Sequence, residues 1–186
     1  MAGLLLAAGE GARLGTPKAL LEHAGERLVD RGVRLLEKGG CHPVVVVLGA
    51  ATVQVRGAVT VRNPDWRTGM GSSLRVGLAA LPPESEAVVI ALVDQPLVRP
   101  GAVRALAESG AGFAVATYAG RRRNPVLIAR EHFAEVAGLA VGDVGARPFM
   151  KAHPELVTEV ACDGHGDPAD IDTPGDLGLL DLLEAE

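Results

Sequence analysis

Two uninterrupted apolar runs constrain the fold of this chain more than any other feature of its sequence. The segments "PVVVVLG" and "AVVIALVD" are apolar at almost every position, and the first is strongly β-branched. Continuous runs of this kind are typical of strands that helices cover on both faces, as in parallel sheets. Segments with helical periodicity lie between the strand-like runs and alternate with them. We therefore predict an α/β fold with a mostly parallel sheet flanked by helices.

The alternation of strand and helix patterns runs through the whole sequence. It begins with a strand in "AGLLLAA" and a helix in "RLVDRGVRLLEKGG", in which Val29, Val33 and Leu36 share one face. We predict further strands in "AVTVR", "GFAVATY", "NPVLIA" and "ELVTEVA". Further helices are predicted in "GSSLRVGLAAL" and "PGAVRALAES", near 131–138 and 145–152, and after "DIDTP". Parallel sheets bind ligands at the carboxyl ends of their strands, where the first glycine-rich loop, "VDQP" and "DIDTP" are expected.

Length and composition favour one domain over 1–186, with no membrane or nucleic-acid partner. A chain of 186 residues with 48% hydrophobic residues can build one substantial core. No apolar run approaches the roughly 20 residues that span a bilayer, and the net charge of −5 comes without a basic face. Cys41 and Cys162 lack the spacing of a metal or redox motif. The start of the chain lacks the basic residues of a signal peptide, so we expect a cytoplasmic location.

The segment "LLLAAGEGARLGTPK" places glycines and two cations directly after the first predicted strand. Gly9 and Gly11 let a ligand approach the loop amides, which can form an anion-binding nest. Arg13 presents a planar fork suited to phosphate, and Lys18 presents a compact charge. A dinucleotide-binding fingerprint needs glycine where Leu14 stands, and the G-K-[ST] of a Walker loop is missing. These residues alone leave open a phosphate-binding loop or a plain connection.

The detailed form of this loop resembles a family signature. "LAAGEGARLGTPK" is similar to L-A-A-G-x-G-x-R-[ML]-x-x-P-K of the MobA-like nucleotidyltransferases, which join an NTP to a small phosphorylated acceptor. The resemblance implies a Rossmann-like nucleotide-diphospho-sugar transferase fold. It also implies that the loop grips the triphosphate while Arg13 and Lys18 neutralise charge as pyrophosphate leaves. The nucleotide-binding residues implied in this segment are Leu6, Ala7, Ala8, Gly9, Gly11, Arg13 and Lys18.

A second segment, "NPDWRTGMGSSLRVGL", resembles N-P-x-W-x-x-G-x-x-x-S-L-x-x-G-L of molybdenum cofactor cytidylyltransferases. The resemblance implies that Asn63, Gly71, Ser72 and Ser73 belong to the nucleotide site. Hydroxyls and amides at the start of a helix can bind base edges or oxyanions. Ser72 or Ser73 is equally a natural N-cap for the predicted helix. Base contact and helix capping both stay open from the sequence.

Two acidic segments follow predicted strands and suggest a metal site. "LVDQP" resembles the family's [LV]-x-D-x-P, and "DIDTPGDL" resembles its D-I-D-T-P-x-D-L block. The resemblance implies Mg²⁺ held by Asp94 and Asp172, with Asp170 behind them; a turn-forming Asp94 is the alternative. Two carboxylates roughly 4 Å apart repel by about 4 kcal/mol at an effective dielectric of about 20, so adding a triphosphate requires a divalent cation. Thr173 is expected as the N-cap of the last helix with Pro174 at its first position, and Asp176 is expected in its first turn.

The acceptor side is suggested by two further segments. "GDVGARPF" resembles the G-D-x-G-A-R loop that helps close over the acceptor, although Asp143 is also a plausible helix cap. Where the family usually has R-G-[HN]-P before a strand, this chain has "RRNP", with Arg123 in place of glycine. The residues 121–123 either bind an acceptor phosphate or form a solvated charged loop. The implied acceptor-binding residues are Gln95, Pro96, Asn124, Asp143 and Arg147.

Taken together, the resemblance implies a Mg²⁺-dependent transfer of CMP from CTP to molybdopterin, with Arg13, Lys18 and Asp94 as catalytic residues. Ala7 and Ala8 favour CTP because the guanylyl branch usually reads L-A-G-G. A molybdenum hydroxylase-type enzyme is an expected partner for the product. The alternatives are a GTP-using guanylyltransferase, another phosphorylated acceptor, a non-catalytic molybdenum cofactor carrier and a dinucleotide-binding oxidoreductase.

Overall fold

The structure, a computed structural model that describes residues 1–185, contains a seven-stranded mixed sheet and a short two-stranded ribbon. The sheet strands are β1 (Ala2–Ala7), β4 (Val44–Leu48), β5 (Val59–Arg62), β6 (Ala87–Leu92), β7 (Phe113–Tyr118), β8 (Arg121–Ala129) and β9 (Thr158–Ala161). Their spatial order is β5-β4-β1-β6-β8-β7-β9. The ribbon pairs β2 (Glu22–His23) with β3 (Glu26–Arg27).

Helices cover both faces of the sheet. The α-helices are α1 (Leu28–Lys38), α2 (Met70–Ala79), α3 (Pro100–Glu108), α4 (Phe133–Leu139) and α5 (Arg147–Ala152). The 3₁₀ segments are Lys18–Leu20, Trp66–Thr68, Arg130–His132, Pro154–Leu156 and Pro174–Ala185. Side chains of α1 and α3 belong to the core on one face of the sheet, while those of α2, α4 and α5 belong to the core on the other. Across the described residues, no helix combines the length and apolar content that crossing a bilayer requires.

The mostly parallel sheet predicted from the apolar runs is confirmed. Strand β1 pairs in parallel with β4 and β6, β4 with β5, and β7 with β9. All five residues of β4 are buried, as expected for a strand covered on both faces. The predicted inward face of α1 is also confirmed, because Val29, Val33 and Leu36 are buried. Only β8 departs from the pattern, since it runs antiparallel to both β6 and β7.

Helix α2 begins earlier than the serines predicted to cap it. Its first residue is Met70, and its N-cap is Gly69, whose φ of 110° lies in the region that favours glycine. Because the chain already turns at Gly69, the Ser72 hydroxyl lies within the first turn and donates to the Gly69 carbonyl at 2.8 Å. Ser72 and Ser73 are both buried. The capping prediction for these serines is therefore wrong.

The structure differs from the sequence predictions in three further places. The "RRNP" segment lies inside β8, which begins at Arg121, and does not precede the strand. The final segment forms a 3₁₀ helix, Pro174–Ala185. The β2–β3 ribbon was not predicted, because two-residue strands leave no periodic pattern to detect. Asp176 lies in the first turn of the final helix as expected, and its Oδ2 accepts the Thr173 N–H at 2.7 Å.

Candidate active site

Three charged side chains from distant parts of the sequence meet at the carboxyl edge of β1 and β6. Lys18 Nζ donates to Asp94 Oδ2 at 2.7 Å and to Asp172 Oδ1 at 2.5 Å. Arg13 Nη2 lies 3.1 Å from the other Asp172 oxygen. The structure thus brings the glycine-rich loop and two aspartates predicted as metal ligands to a single point. We call Lys18, Asp94 and Asp172 the charged triad.

Backbone hydrogen bonds explain why the two aspartates converge. The Val93 N–H donates to the Leu6 carbonyl at 3.1 Å, which extends the β1–β6 pairing up to Asp94. The Ile171 N–H donates to the Asp94 carbonyl at 2.8 Å, and the Ile171 side chain is completely buried. Burial of this one apolar side chain therefore anchors the "DID" segment beside Asp94 and leaves its two carboxylates near the cleft.

The charges of the triad reinforce one another. Burial alone lowers the pKa of Lys18, but the negative charges of Asp94 and Asp172 outweigh it and raise this pKa above 10.5. The Lys18 hydrogen bond in turn lowers the pKa of Asp172 below 3.8. Lys18 is therefore a cation and Asp172 an anion at neutral pH.

Asp170 has a different environment from its neighbour Asp172. Partial burial raises the pKa of Asp170, although a hydrogen bond from Gln95 Nε2 to its Oδ1 at 2.9 Å acts in the opposite direction. Gln95 is 4% exposed and also donates to the Pro168 carbonyl at 3.2 Å. Gln95 thereby fixes the position of Asp170 next to the triad.

The glycine-rich loop forms a tight turn that leaves its backbone open to the cleft. Leu14 N–H and Gly15 N–H both donate to the Gly11 carbonyl, at 2.8 and 2.9 Å. Gly11 has a φ of 60°, and a Cβ there would collide with the Thr16 carbonyl. A Cβ at Gly9 would meet no atom within 4 Å, because this part of the loop faces open space. Such a loop allows a ligand to approach the main chain closely.

Two cavities adjoin the charged triad. The first, here the glycine-loop cavity, has a volume of about 740 Å³ and lies between the loop and the segment from Trp66 to Met70. The second, here the β8 cavity, has a volume of about 1080 Å³ and extends from the triad to β8 and α5. Lys18, Asp94 and Asp172 line both cavities. The triad is therefore positioned between two potential ligands.

The residues predicted for nucleotide binding divide into two groups. Those that line the glycine-loop cavity are Leu6, Ala8, Gly9, Gly11, Arg13, Lys18 and Ser73. Those that line neither cavity are Ala7, Asn63, Gly71 and Ser72. Asn63 is 1% exposed and its Nδ2 donates to the hydroxyls of Ser72 and Ser73 at 2.8 and 2.9 Å. Asn63 and Ser72 support the cavity wall from behind.

The residues predicted for acceptor binding gather in the β8 cavity, with one exception. Its lining includes Gln95, Asn124, Asp143, Arg147 and also Asp170. Pro96 does not line it, and its carbonyl instead accepts a hydrogen bond from Arg31 Nε at 2.8 Å. Asp143 Oδ1 accepts the Met70 N–H at 3.3 Å, so this residue links the walls of both cavities.

Some cavity-lining residues were not singled out from the sequence. Trp66 and Arg67 line the glycine-loop cavity, and the Arg67 guanidinium carbon lies 4.3 Å from the Trp66 ring centroid. The available signal was the only tryptophan of the chain, placed in a predicted loop. Lys151 lines the β8 cavity and gave no signal, because a lysine on a short helix is usually solvated.

The triad fits a divalent cation on its donor chemistry. The Lys18 ammonium already lies between the Asp94 and Asp172 carboxylates, so the position favours positive charge. Among the described residues, no group of three or more His, Cys, Asp or Glu side chains has a geometry that could hold a metal ion. Mg²⁺ commonly takes one or two carboxylates and completes its shell with substrate phosphates and water. Two aspartates next to a cavity of suitable size match that requirement.

Sequence comparison shows clear relatives. The chain is 38% identical to the nicotine blue oxidoreductase of Paenarthrobacter nicotinovorans over 190 residues, covering 92% of this chain and 91% of that protein. It is 34% identical over 100 residues to a probable molybdenum cofactor guanylyltransferase of Opitutus terrae, covering 53% of this chain and 50% of that protein.

Structural comparison confirms the fold expected from the resemblance. The Mycobacterium tuberculosis protein Rv0371c superposes with a TM-score of 0.83 at 31% identity, with 97% of each chain covered. A manganese complex of that protein superposes with a TM-score of 0.77 at 28% identity, with 96% of each covered. The 2-C-methyl-D-erythritol 4-phosphate cytidylyltransferase of Thermus thermophilus shares the fold, with a TM-score of 0.74 at 22% identity over 100% of this chain and 98% of that one.

The family is established by a match along most of the chain. The MobA-like NTP transferase domain matches residues 3–157, which include the glycine-rich loop, Asp94 and every cavity-lining residue except Asp170 and Asp172. The chain therefore belongs to the MobA-like NTP transferase family and is an enzyme of the nucleotidyltransferase class.

Proposed function

We propose that this enzyme transfers CMP from CTP to the terminal phosphate of molybdopterin, with Mg²⁺ as cofactor and pyrophosphate as the second product. The observation that carries the proposal is the position of the charged triad between two cavities, each large enough for a small ligand. The glycine-loop cavity takes the nucleotide, and the β8 cavity takes the acceptor. In this arrangement the α-phosphorus of CTP lies at the triad, where the two ligands meet.

The nucleotide side of the reaction uses the loop and its cations. The open backbone at Gly9 binds the triphosphate oxygens, and Arg13 and Lys18 neutralise the charge that develops as pyrophosphate leaves. Lys18 suits this role because its raised pKa keeps it charged. Trp66 offers an aromatic face to the base at the far wall of the cavity.

The acceptor side needs positioning more than proton transfer. A phosphate monoester has a second pKa of about 6 and is largely dianionic at pH 7, so it attacks without a general base. Alignment of this phosphate with the α-phosphorus, together with charge neutralisation, then supplies the rate enhancement. Gln95, Asn124, Asp143 and Arg147 are proposed to hold the acceptor, with Pro96 acting only through the backbone.

Asp94 and Asp172 are proposed to hold Mg²⁺. Asp170, which Gln95 holds in place by a hydrogen bond, is proposed to lie behind them as a further carboxylate. When bound, the cation neutralises phosphate charge and orients the triphosphate. With Mg²⁺ on the two carboxylates, the Lys18 ammonium would donate to phosphate oxygens of the triphosphate in place of Asp94 and Asp172. The reaction is proposed to take place in the cytoplasm, where a molybdenum hydroxylase-type enzyme receives the product.

The proposal is tested by a panel of the four NTPs with Mg²⁺ and molybdopterin, scored for released pyrophosphate. We expect release with CTP that depends on molybdopterin. Release with GTP in place of CTP would support the guanylyltransferase alternative. Binding of molybdopterin without release from any NTP would support the carrier alternative and contradict the proposal.

A second candidate function is oxidoreduction of nicotine blue or a related compound. Its support is the 38% identity to nicotine blue oxidoreductase along almost the whole length of both chains. The residue Leu14 weighs against binding a dinucleotide in the usual glycine fingerprint. Mixing the protein with NADH or NADPH and nicotine blue, and following the absorbance of both, separates the candidates. Reduction of nicotine blue in this assay, by a protein that releases no pyrophosphate from NTPs, would favour the oxidoreductase.

A further inference from the structure

Among the cations that line the β8 cavity, Arg123 and Lys151 have no role in the transfer as proposed above. Strand β8 runs antiparallel to β6, and their last pair towards the carboxyl edge is Ile90 with Val126. The segment 121–124 therefore continues past this pair towards the edge where Asp94 lies. Arg123 and Asn124 of this segment line the β8 cavity.

An irregularity in the strand pairing places these residues at the cavity. Along β7 and β8, Val115 pairs with Val126, but the next β7 residue, Ala116, pairs with Arg123. Asn124 and Pro125 are thus extra residues that bulge out of the ladder. Bulges bend a strand and redirect its side chains, and they are common beside active sites. Arg123, which pairs with Ala116 directly beside this bulge, therefore lies where β8 changes direction at the cavity.

Three of the cations around this cavity lack a carboxylate partner. Arg122 is neutralised by Glu159, whose Oε1 lies 2.7 Å from the guanidinium. Within residues 1–185, the one hydrogen bond that Arg123 donates goes to the Arg122 carbonyl, at 3.2 Å. In the described part of the chain, no carboxylate forms an ion pair with Arg123, Arg147 or Lys151.

Two of these cations are neighbours of like charge on one helix. Arg147 and Lys151 are four residues apart on α5, where like charges repel, and both line the same cavity as Arg123. None of the three lines the glycine-loop cavity. The acids of the β8 cavity, Asp94, Asp143, Asp170 and Asp172, include two that are already paired with Lys18. Among the described residues, these three cations therefore add positive charge without a carboxylate partner to the acceptor side.

We propose that Arg123, Arg147 and Lys151 form a second anion-binding site in the β8 cavity, here the cationic trio. The inference rests on the proposed function and narrows its substrate class. The acceptor carries a second anionic group in addition to the phosphate that attacks the nucleotide. Because all three side chains are exposed at the cavity, the second group lies at its solvent-facing side. An acceptor with a single phosphate leaves the trio without a counter-charge.

Two-headed anions provide a direct probe. Isothermal titration calorimetry is carried out with the protein saturated with Mg²⁺ and the non-hydrolysable α,β-methylene analogue of CTP, and again without nucleotide. Alkane bisphosphonates of increasing chain length are compared with alkyl monophosphonates of the same length. For one range of chain lengths, we expect the bisphosphonate to bind at least about tenfold more tightly than the monophosphonate of the same length. One added charge-assisted contact would give a difference of this size.

Variants assign this preference to the cationic trio. Arg123→Gln and Lys151→Gln should each reduce the preference to about threefold or less while monophosphonate affinity stays the same. Arg121→Gln is the matched control, because Arg121 is an exposed arginine of the same strand that lines neither cavity. The control should retain the full preference. Thermal unfolding of each variant checks that it is folded.

The outcomes separate this inference from the proposed function. Equal affinity for bisphosphonates and monophosphonates at every length would overturn the inference, even if CTP-dependent pyrophosphate release is observed. The inference would also be overturned if Arg121→Gln lost the bisphosphonate preference as much as the trio variants do. The preference would then reflect the overall charge of the protein and not these three side chains. If the preference for bisphosphonates is lost only in the trio variants, the anion-binding site is supported. If the same protein releases pyrophosphate from no NTP, the transferase proposal is refuted while the anion-binding site stands.

Discussion

Replacing Lys18 with methionine tests whether the charged triad is a site for a cation. The substitution keeps an unbranched side chain of similar length and removes the ammonium that contacts Asp94 at 2.7 Å and Asp172 at 2.5 Å. Hydrogen bonds to charged groups contribute about 1.5–3 kcal/mol each. The side chains of Lys18, Asp94 and Asp172 are 14%, 22% and 35% exposed, so solvent screening reduces the total. We estimate a loss of about 2–3 kcal/mol for both contacts together.

This loss predicts both a change in melting temperature and a recovery by metal. For a domain of this size, each 1 kcal/mol lowers Tm by about 2–4 °C, which gives a fall of about 4–12 °C for Lys18→Met without divalent cations. Mg²⁺ should raise the Tm of the variant more than that of the wild type, because it replaces the missing positive charge. Turnover should still fall by at least about 100-fold, as for loss of one preorganised charge. Differential scanning calorimetry with and without Mg²⁺ measures the first two effects.

Lys151→Met is the matched control for this experiment. Lys151 also lines a cavity but forms no ion pair with a carboxylate among the described residues, so its loss should change the free energy of unfolding by less than about 0.5 kcal/mol. A Lys18→Met protein that melts at the wild-type temperature, and that gains no more from Mg²⁺ than the wild type, would refute the assignment of the triad as a cation site.

Three further predictions concern Asp94, the turn at Gly69 and the His153–Glu135 pair. Asp94→Asn should abolish Mg²⁺-dependent pyrophosphate release, and full wild-type release in the presence of EDTA would contradict the metal assignment. Gly69→Ala should lower the free energy of unfolding by at least about 1 kcal/mol, because of its φ of 110° and a Cβ clash with the backbone at Gly142; Gly138→Ala, with open space around it, should not. The hydrogen bond to Glu135 raises the pKa of His153 above 6.5, so this pair stabilises the fold fully below pH 6.5 and loses its effect as pH rises through the raised value. An NMR titration of His153 that is identical in wild type and Glu135→Gln would contradict this.

The sheet and the triad were accessible from the sequence because local patterns determine them. Continuous apolar runs identified β4 and β6, and parallel strands bring the residues that follow them to one edge. Asp94 directly follows such a run. Asp172 was found through its motif, and the structure adds the reason for its position, since the buried Ile171 anchors the segment beside Asp94. Apolar runs therefore predict the strands and the residues that directly follow them, and not the contacts that those residues make.

The remaining features depend on contacts that are distant in sequence. The insertion of antiparallel β8 between β6 and β7 follows from pairing across the sheet, which no local pattern specifies. The burial of Asn63 against two serine hydroxyls likewise depends on how the Gly69 turn directs α2. The bulge that brings Arg123 to the β8 cavity arises from the β7–β8 register. These three features decide which motif residues line a cavity and which only support its walls.

The most direct test of the central claim follows the label of CTP in the presence of molybdopterin and Mg²⁺. With phosphorus-32 at the α-position, the account predicts that label appears in the molybdopterin product, whereas label at the γ-position appears in pyrophosphate. Wild-type protein and Arg121→Gln should transfer the α-label, and Asp172→Asn should not. Transfer of the γ-label to the acceptor, or α-label transfer that persists in Asp172→Asn at the wild-type rate, would contradict the account.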